Sequence, residues 1–322
     1  MQPFIKRTCF AFTLFISFHF AVKAQTDIDA LMMAKNNFCV GGTYSHSSWK
    51  NYWEGTLKRS NQNLGTVSAN SYALMGNYGI TDKLNLLFGI PYISTKASAG
   101  TLHSSKGIQD FSLWLKWMPI EKKLNSNSVF SLYGLAGAST PASNYQADYL
   151  PLTLGLHSNT VSGRIMADYQ HRAFFATVSG TYQYRSNITI DRTAYYTTEM
   201  HLTNKVEMPD MASFNVRTGY RSFRLIAEAF FQQNRTLGGF DIRRNDMPFP
   251  SNRMNASIAG VHFKYTFVKK LPSLSLEAGS SYVINGRNVG QATEFNGSVF
   301  YIIPFAHAKV NPSHSCKLCG LR

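Results

Sequence analysis

Residues 110–117 read Asp-Phe-Ser-Leu-Trp-Leu-Lys-Trp, in which an apolar side chain occupies every second position. Successive side chains of an extended strand point to opposite faces, so this period of two predicts a β-strand with one apolar and one wetter face. The residues of the apolar face are Phe111, Leu113, Leu115 and Trp117. Those of the wetter face are Asp110, Ser112, Trp114 and Lys116.

The same alternation recurs from residue 38 to residue 305, and no helix of useful length is predicted after Lys35. Segments 223–232 and 260–267 are two further clear examples. The chain has 322 residues, of which 14% are aromatic and only 15% are charged. This composition suits strands that are apolar on one face and modestly polar on the other, so the sequence predicts an all-β protein.

The pattern predicts about twelve strands, and their lengths approach the roughly 9–11 residues that a tilted strand needs to cross a bilayer. The predicted strands are 38–48, 69–79, 84–95, 108–118, 128–139, 160–169, 173–185, 212–220, 223–234, 254–268, 273–284 and 295–305. Residues 150–157 are a further candidate strand, or an extension of a neighbouring one. Ten or fourteen strands are therefore alternatives to twelve.

The predicted connections alternate between long and short. The long ones are 49–68, 96–107, 140–159, 186–211, 235–253 and 285–294. The short ones are 80–83, 119–127, 170–172, 221–222 and 269–272. Outer-membrane barrels have short periplasmic turns and long extracellular loops, so we predict a transmembrane antiparallel up-and-down β-barrel with both ends in the periplasm.

Aromatic residues lie where the predicted strands would meet the membrane interfaces, which favour amphipathic rings. The predicted periplasmic girdle comprises Tyr78, Trp117, Tyr169, Tyr220, Phe267 and Phe305. The predicted outer girdle comprises Tyr44, Trp49, Tyr52, Trp53, Tyr184 and Tyr282. The alternative is a secreted all-β domain, a sandwich or a lipocalin-like barrel, which would bury its apolar faces in a core.

The N-terminus predicts export. Lys6 and Arg7 precede the apolar run 8–20, and Ala24 ends a stretch of small residues suited to signal-peptidase cleavage. We therefore expect a signal peptide at 1–24, a periplasmic segment at 25–37, a barrel at 38–305 and a tail at 306–322. The expected location is the outer membrane of a Gram-negative cell.

The charge and the cysteines exclude some classes of protein. The formal net charge of +15 is spread along the chain without a long basic run, which suits an anionic lipopolysaccharide surface or an anionic solute and not nucleic acid. Cys9 would leave with the signal peptide, and Cys39 is then isolated from Cys316 and Cys319. The cysteines therefore predict no disulfide framework.

Two stretches resemble a known family. Residues 78–86 read Tyr-Gly-Ile-Thr-Asp-Lys-Leu-Asn-Leu and run on to Gly-Ile-Pro-Tyr at 89–92, and residues 107–110 read Gly-Ile-Gln-Asp. They resemble the outer-membrane barrel family named after the meta-pathway of phenol degradation, whose members combine a YG-(I/L)-T-D turn, a PY strand end and a following G-x-x-D strand. The Trp-rich segment 48–55 resembles Bacteroidetes members of such barrels.

The resemblance is specific over 78–117 and general in pattern over 38–305. It implies a transporter-like passive pore without a cofactor, and it does not identify the solute. Family members usually stop at a terminal aromatic residue, whereas here the tail 306–322 follows Phe305.

The polar faces of the predicted strands supply the candidate pore-lining residues, which either set solute preference or neutralise one another inside a narrow barrel. They are Asp110, Lys116, Arg164, Asp168, Arg217, Arg224, Glu228, His262, Lys264 and Glu277. If anions pass, Arg164, Arg217 and Arg224 are the first candidates, because guanidinium groups bind carboxylates well.

Two other segments carry candidate chemistry. Loop 235–253 has Arg243, Arg244 and Arg253 and either folds inward as a constriction, binds lipopolysaccharide phosphates or is simply solvated. In the tail, Cys316 and Cys319 have redox or metal spacing, but a nonspecific tail or a disulfide is the favoured interpretation. We therefore expect no metal site and no cofactor.

The expected function is that of a passive outer-membrane transporter or pore for a small hydrophobic or anionic molecule. The expected partners are outer-membrane lipids, lipopolysaccharide, an unidentified solute and the barrel assembly machinery. The alternatives are an adhesin or structural barrel acting through its long loops. A lipid hydrolase is a weaker alternative, because the predicted strands place no Ser–His pair together on the outer face.

Overall fold

A computed structural model of the protein describes residues 26–244, 246–267 and 273–305. The predicted signal peptide and the tail with Cys316 and Cys319 lie outside the described residues. Within those residues, no helix is long and apolar enough to cross a membrane.

Twelve strands form the barrel, and each overlaps a strand predicted from the sequence. They are β1 (Asn37–Trp49), β2 (Val67–Thr81), β3 (Leu84–Ala97), β4 (Asp110–Asn125), β5 (Ser128–Pro141), β6 (Thr160–His171), β7 (Phe174–Arg185), β8 (Met211–Arg221), β9 (Leu225–Thr236), β10 (Asn255–Thr266), β11 (Leu274–Arg287) and β12 (Thr293–Pro304). A short strand, Ser105–Ile108, precedes β4 and pairs with the end of β3.

The barrel is closed. Every strand is antiparallel to the next, and β1 pairs with both β2 and β12, so that Phe38 lies opposite Tyr78 on one side and Ile303 on the other. Closure removes the exposed strand edges that an open sheet would present to lipid. The predicted antiparallel twelve-stranded barrel is therefore confirmed.

Apolar side chains face outward around this barrel. In β4, Trp117 is 54% exposed whereas the neighbouring Lys116 is fully buried. In β6, Ile165 is 69% exposed and the neighbouring Met166 is 0% exposed. An apolar exterior with a polar interior is the arrangement of a membrane barrel and the reverse of a soluble barrel with an apolar core.

The connections differ in three places from those predicted. Residues 119–125 continue β4 instead of forming a turn, because Ile120 pairs with Leu132 across an extended hairpin. Residues 150–157 form no strand and belong to the loop between β5 and β6. The loop between β11 and β12 is only 288–292, because β11 extends to Arg287.

The aromatic residues at the two ends of the barrel behave differently. At the short-turn end Trp117, Tyr169, Tyr220 and Phe305 are exposed. At the long-loop end Trp49 lines an internal cavity and Trp53 is buried against Gly286. These two tryptophans therefore do not belong to an outer girdle, because the loops turn them inward.

The long loops are packed together over their end of the barrel. Loops 142–159, 186–210 and 237–254 share a hydrophobic cluster in which Ile188, Val206 and Met208 are buried. The loops also contain three short hairpins, which pair Asn51–Glu54 with Leu57–Ser60, Ile188–Thr189 with Lys205–Val206, and Tyr195–Tyr196 with Met200–His201.

Candidate functional site

In the part of the chain that the structure describes, three ion pairs link strands on one side of the interior, β6 to β11; two of them join neighbouring strands and the third spans β7. Arg217 of β8 donates to Glu228 of β9, and Lys264 Nζ of β10 lies 3.0 Å from Glu277 Oε1 of β11. All four side chains are nearly inaccessible to solvent. Because an unpaired charge is costly to bury, each residue depends on its partner, and we call these residues the wall pairs.

The third wall pair is bidentate. Arg221 Nη1 lies 2.9 Å from Asp168 Oδ2, and Arg221 Nη2 lies 3.2 Å from Asp168 Oδ1. His262 lies between the other two wall pairs, since its Nδ1 is 3.2 Å from Glu228 Oε1 and its Nε2 is 3.4 Å from Glu277 Oε2. Charges on this side of the barrel are thus neutralised within the wall itself.

Lys116 and Arg164, on β4 and β6, are paired differently. Lys116 Nζ is 3.0 Å from Asp29 Oδ1, and Arg164 Nη1 is 3.2 Å from Asp27 Oδ2. Both acids belong to residues 26–36, which precede the first strand and which we call the N-terminal segment. Within the described part of the chain, Lys116 and Arg164 form ion pairs with no carboxylate of the wall.

The N-terminal segment lies inside the barrel. Tyr133 of β5 donates a hydrogen bond of 2.9 Å to the Ala30 carbonyl, and Met33 is 0% exposed among Cys39, Phe300 and Ile302. The sequence predicted a periplasmic segment at 25–37, and the structure places residues 26–36 of it in the barrel interior. Sequence alternation describes strands only, so it carried no signal for a segment that crosses their interior.

The turn between β2 and β3 anchors the base of this segment. Asn36 N donates to the Gly79 carbonyl at 2.8 Å, and Lys35 N donates to Asp82 Oδ1 at 3.0 Å. A Cβ at Gly79 would lie 2.2 Å from the Ala34 carbonyl oxygen. Two residues of the family-like turn therefore have a structural role here, which is to seat the N-terminal segment.

Loop 142–159 covers part of the interior at the other end. Leu152 is fully buried, and its carbonyl accepts a 2.6 Å hydrogen bond from Thr95 on the inner face of β3. Tyr145 of the same loop donates to Asp110 Oδ1 at 2.5 Å. Between this loop and the ends of β1 to β3 lies a cavity of about 180 Å³, whose lining includes Trp49 and Leu154.

Loop 237–254 packs against other loops. Asp241 accepts hydrogen bonds from Arg287 Nε at 2.7 Å and Asn288 Nδ2 at 2.7 Å, and Asn288 Oδ1 accepts one from Gly55 N at 2.7 Å. The Arg287 hydrogen bonds lower the pKa of Asp241 to about 2. Arg243 donates to the Tyr196 hydroxyl at 3.1 Å. The loop that folds over the inner wall is thus 142–159, whereas the sequence singled out 235–253.

The predicted pore-lining residues fall into two groups. Asp110, Lys116, Arg164, Asp168, Arg217, Glu228, His262, Lys264 and Glu277 face the interior, and every one of them has a polar or charged partner. Arg224 is different, because it lies exposed in the turn between β8 and β9. The predicted strand began at 223 and so assigned a turn residue to the inner face.

Sequence reasoning also missed Arg221 and the two acids Asp27 and Asp29. Arg221 follows Arg217 by four residues and therefore shares its face in a strand, but the predicted strand ended at 220. Asp27 and Asp29 lie outside any strand pattern. The predicted inner faces gave no signal for them either, because without Arg224 they carry equal numbers of Lys/Arg and Asp/Glu side chains.

One Ser–His contact bears on the lipid-hydrolase alternative. Ser128 Oγ lies 2.8 Å from His171 Nδ1 and accepts a hydrogen bond from Tyr169 at 3.2 Å. Ser128 is fully buried, so this hydroxyl does not present itself to a lipid ester. Among the residues that the structure describes, no carboxylate is hydrogen-bonded to the His171 imidazole to orient it as in a catalytic triad.

No protein-family model matches the chain. No curated protein matches its sequence. Solved structures do match: the COG4313 outer membrane channel from Pseudomonas putida F1 is 17% identical with a TM-score of 0.67, and the alignment covers 87% of this chain and 100% of that one.

Other matching structures are more distant. NanC porin is 8% identical with a TM-score of 0.44, over 82% of this chain and 98% of that one. A mutant of TodX, a monoaromatic hydrocarbon channel, is 10% identical with a TM-score of 0.42, over 84% and 91%. The likeness to the Pseudomonas channel supports the fold alone. Together with the apolar exterior and the closed sheet, it defines the class: an outer-membrane-type β-barrel of twelve strands.

Proposed function

We propose that this protein is a passive outer-membrane channel for a small solute, with both ends of the barrel domain in the periplasm. The observation that carries this proposal is a charged interior occupied by a segment outside the barrel sheet. The N-terminal segment is held there by hydrogen bonds, two ion pairs and a small apolar contact. Because the segment is not paired into the barrel sheet, it serves in this proposal as a removable plug.

We further propose membership of the family named after the meta-pathway of phenol degradation. The support is the turn at 78–82 and the strand that follows Gly107, together with the overall fold. Gly79 and Asp82 of that turn contact the N-terminal segment, which connects the motif to the state of the channel. The solute class is small and either anionic or hydrophobic.

Conductance in planar bilayers tests the proposed function. The intact protein is compared with a variant that lacks residues 26–34 and keeps the anchor at Lys35 and Asn36. We expect small or rare openings for the intact protein and a larger steady conductance for the deletion. Heat-modifiable migration on a gel checks that both barrels are folded. A folded deletion variant without channel events would overturn the proposal.

An adhesin is the second candidate, and the packed loop cluster favours it. Because loops 142–159, 186–210 and 237–254 share a hydrophobic core, they present a fixed surface at the long-loop end. Folded protein that binds host or bacterial surfaces but passes no solute in either form would support this function. Thiol labelling of intact cells tests the orientation: cysteine at the exposed Leu202 should react from outside, whereas cysteine at Lys83 should not.

A further inference from the structure

The N-terminal segment accepts every hydrogen bond that the Lys116 ammonium group can donate. Lys116 Nζ has three acceptors, all on the segment: the Thr26 carbonyl at 2.9 Å, the Asp29 carbonyl at 2.5 Å and Asp29 Oδ1 at 3.0 Å. An ammonium group has three donors, so the segment satisfies it completely. Without the segment, Lys116 would need acceptors from water or from a bound anion.

Arg164 is oriented by a residue of the barrel wall and donates further hydrogen bonds to the N-terminal segment. Its Nε donates to Thr181 Oγ1 at 2.7 Å, which fixes the guanidinium orientation on β6 and β7. Its Nη1 donates to the Asp27 carbonyl at 2.8 Å and to Asp27 Oδ2 at 3.2 Å. The guanidinium carbon also lies 5.0 Å from the centre of the Trp114 ring. A cation positioned in this way by the wall is a built receptor for a carboxylate.

The carboxylates of the wall pairs are not available to Lys116 and Arg164, because each already has a cationic partner. Asp168, Glu228 and Glu277 are already engaged by Arg221, Arg217 and Lys264. Departure of the N-terminal segment therefore leaves Lys116 and Arg164 as two cations without a carboxylate partner. A cation in a narrow, partly dehydrated channel attracts anions strongly, because water screens its charge poorly there.

We propose that Lys116 and Arg164 form a binding site for small carboxylate solutes, and that Asp27 and Asp29 occupy this site in the closed state. The chain's own carboxylates stand in for those of the solute. A dicarboxylate that reaches the interior competes with the segment, and its binding favours the open channel. This inference rests on the proposed channel function and names the solute class for it.

Cys39 provides a reporter for this competition that does not depend on conduction. It is 1% exposed and packs against Met33 of the segment. Replacing Cys9, Cys316 and Cys319 by serine leaves Cys39 as the one cysteine of the chain. The rate of its reaction with N-ethylmaleimide in detergent micelles then measures how often the segment leaves the interior.

The experiment compares succinate, inorganic phosphate and glucose at equal ionic strength. We expect succinate to raise the labelling rate of Cys39 by about tenfold, as an anion that replaces both ion pairs would do. Glucose should have no effect. Equal acceleration by phosphate and succinate would overturn the assignment to carboxylates, and no acceleration by succinate would overturn the site.

Two sets of variants test whether Lys116 and Arg164 bind succinate or only stabilise the fold. Asp27→Asn with Asp29→Asn should raise basal labelling, and succinate should then block chloride current through the opened pore. Adding Lys116→Gln and Arg164→Gln should abolish that block. Arg224→Gln removes a cation from the exposed turn and serves as the matched control, which should leave the block unchanged.

These outcomes are distinguishable from failure of the channel proposal. Labelling of Cys39 can respond to succinate even if no current is ever seen, in which case the site stands and the channel function does not. Conversely, a deletion of residues 26–34 that conducts chloride without block by succinate would leave the channel function standing and refute the carboxylate site.

Discussion

The two sides of the barrel interior neutralise their charges in different ways. On the side of β6 to β11, Arg217, Arg221 and Lys264 are paired with acids of other barrel strands. On the side of β4 to β6, Lys116 and Arg164 are paired with acids of the N-terminal segment. The first side is complete as soon as the strands pair, whereas the second is complete only when the segment is in place. One interior thus contains ion pairs between barrel strands and ion pairs with a segment outside the barrel sheet.

The largest expected effect comes from breaking a wall pair. Glu228→Ala leaves Arg217 and His262 facing each other without their shared carboxylate. We expect a loss of roughly 3–5 kcal/mol in the free energy of unfolding, because the two groups cannot leave the interior. The temperature at which the heat-modifiable gel band shifts measures this loss. A shift no larger than that of an exposed charge variant such as Glu121→Ala would contradict the proposed difference between the two sides.

Neutralising the segment should affect the barrel much less. In the Asp27→Asn and Asp29→Asn double variant, the segment can leave and water can reach Lys116 and Arg164. We expect the heat-modifiable transition to change by no more than about 1 kcal/mol in equivalent stability, while the open fraction rises. Melting of this variant at a temperature as low as that of Glu228→Ala would show that the segment is an integral part of the barrel.

A substitution at Gly79 should displace the N-terminal segment without changing any charge. The Cβ of Gly79→Ala would lie 2.2 Å from the Ala34 carbonyl oxygen, so either the backbone of the segment or β2 must shift. We expect faster labelling of Cys39 by severalfold. Gly42→Ala on β1 is the control, since its Cβ has nothing within 4 Å. Equal labelling rates in the two variants would refute the role of Gly79 as the seat of the segment.

The smallest expected effect concerns loop 237–254, whose ion pair belongs neither to the wall pairs nor to the N-terminal segment. The pKa of Asp241 is lowered to about 2 by its hydrogen bonds to Arg287. Because the folded pKa lies below the unfolded value of about 3.9, this contact stabilises the loop fully above about pH 4 and is lost as the pH falls toward 2. Proteolysis of loop 237–254 by pepsin should therefore increase over this window, and it should be less pH-dependent in Asp241→Asn.

Several features of the fold could be predicted from local pattern because they depend on local physics. Alternation along 110–117 determines which side chains share a face, and that relation holds in any strand. The outward position of Leu113 and the inward position of Lys116 follow from it. The ends of the strands were harder to predict, because a strand ends where its partner ends. The predicted pore-lining residues therefore omitted Arg221 and included Arg224.

The sequence by itself determined a membrane barrel of about twelve strands with a charged interior, since period-two alternation and loop lengths are properties of neighbouring residues. Only the tertiary structure decided which charges meet. Asp29 and Lys116 are 87 positions apart in sequence, and the contacts of Asp29 with β4 and of Asp27 with β6 depend on a segment that follows no strand periodicity. Ion pairs of this kind join residues from distant parts of the chain, so no local pattern encodes them.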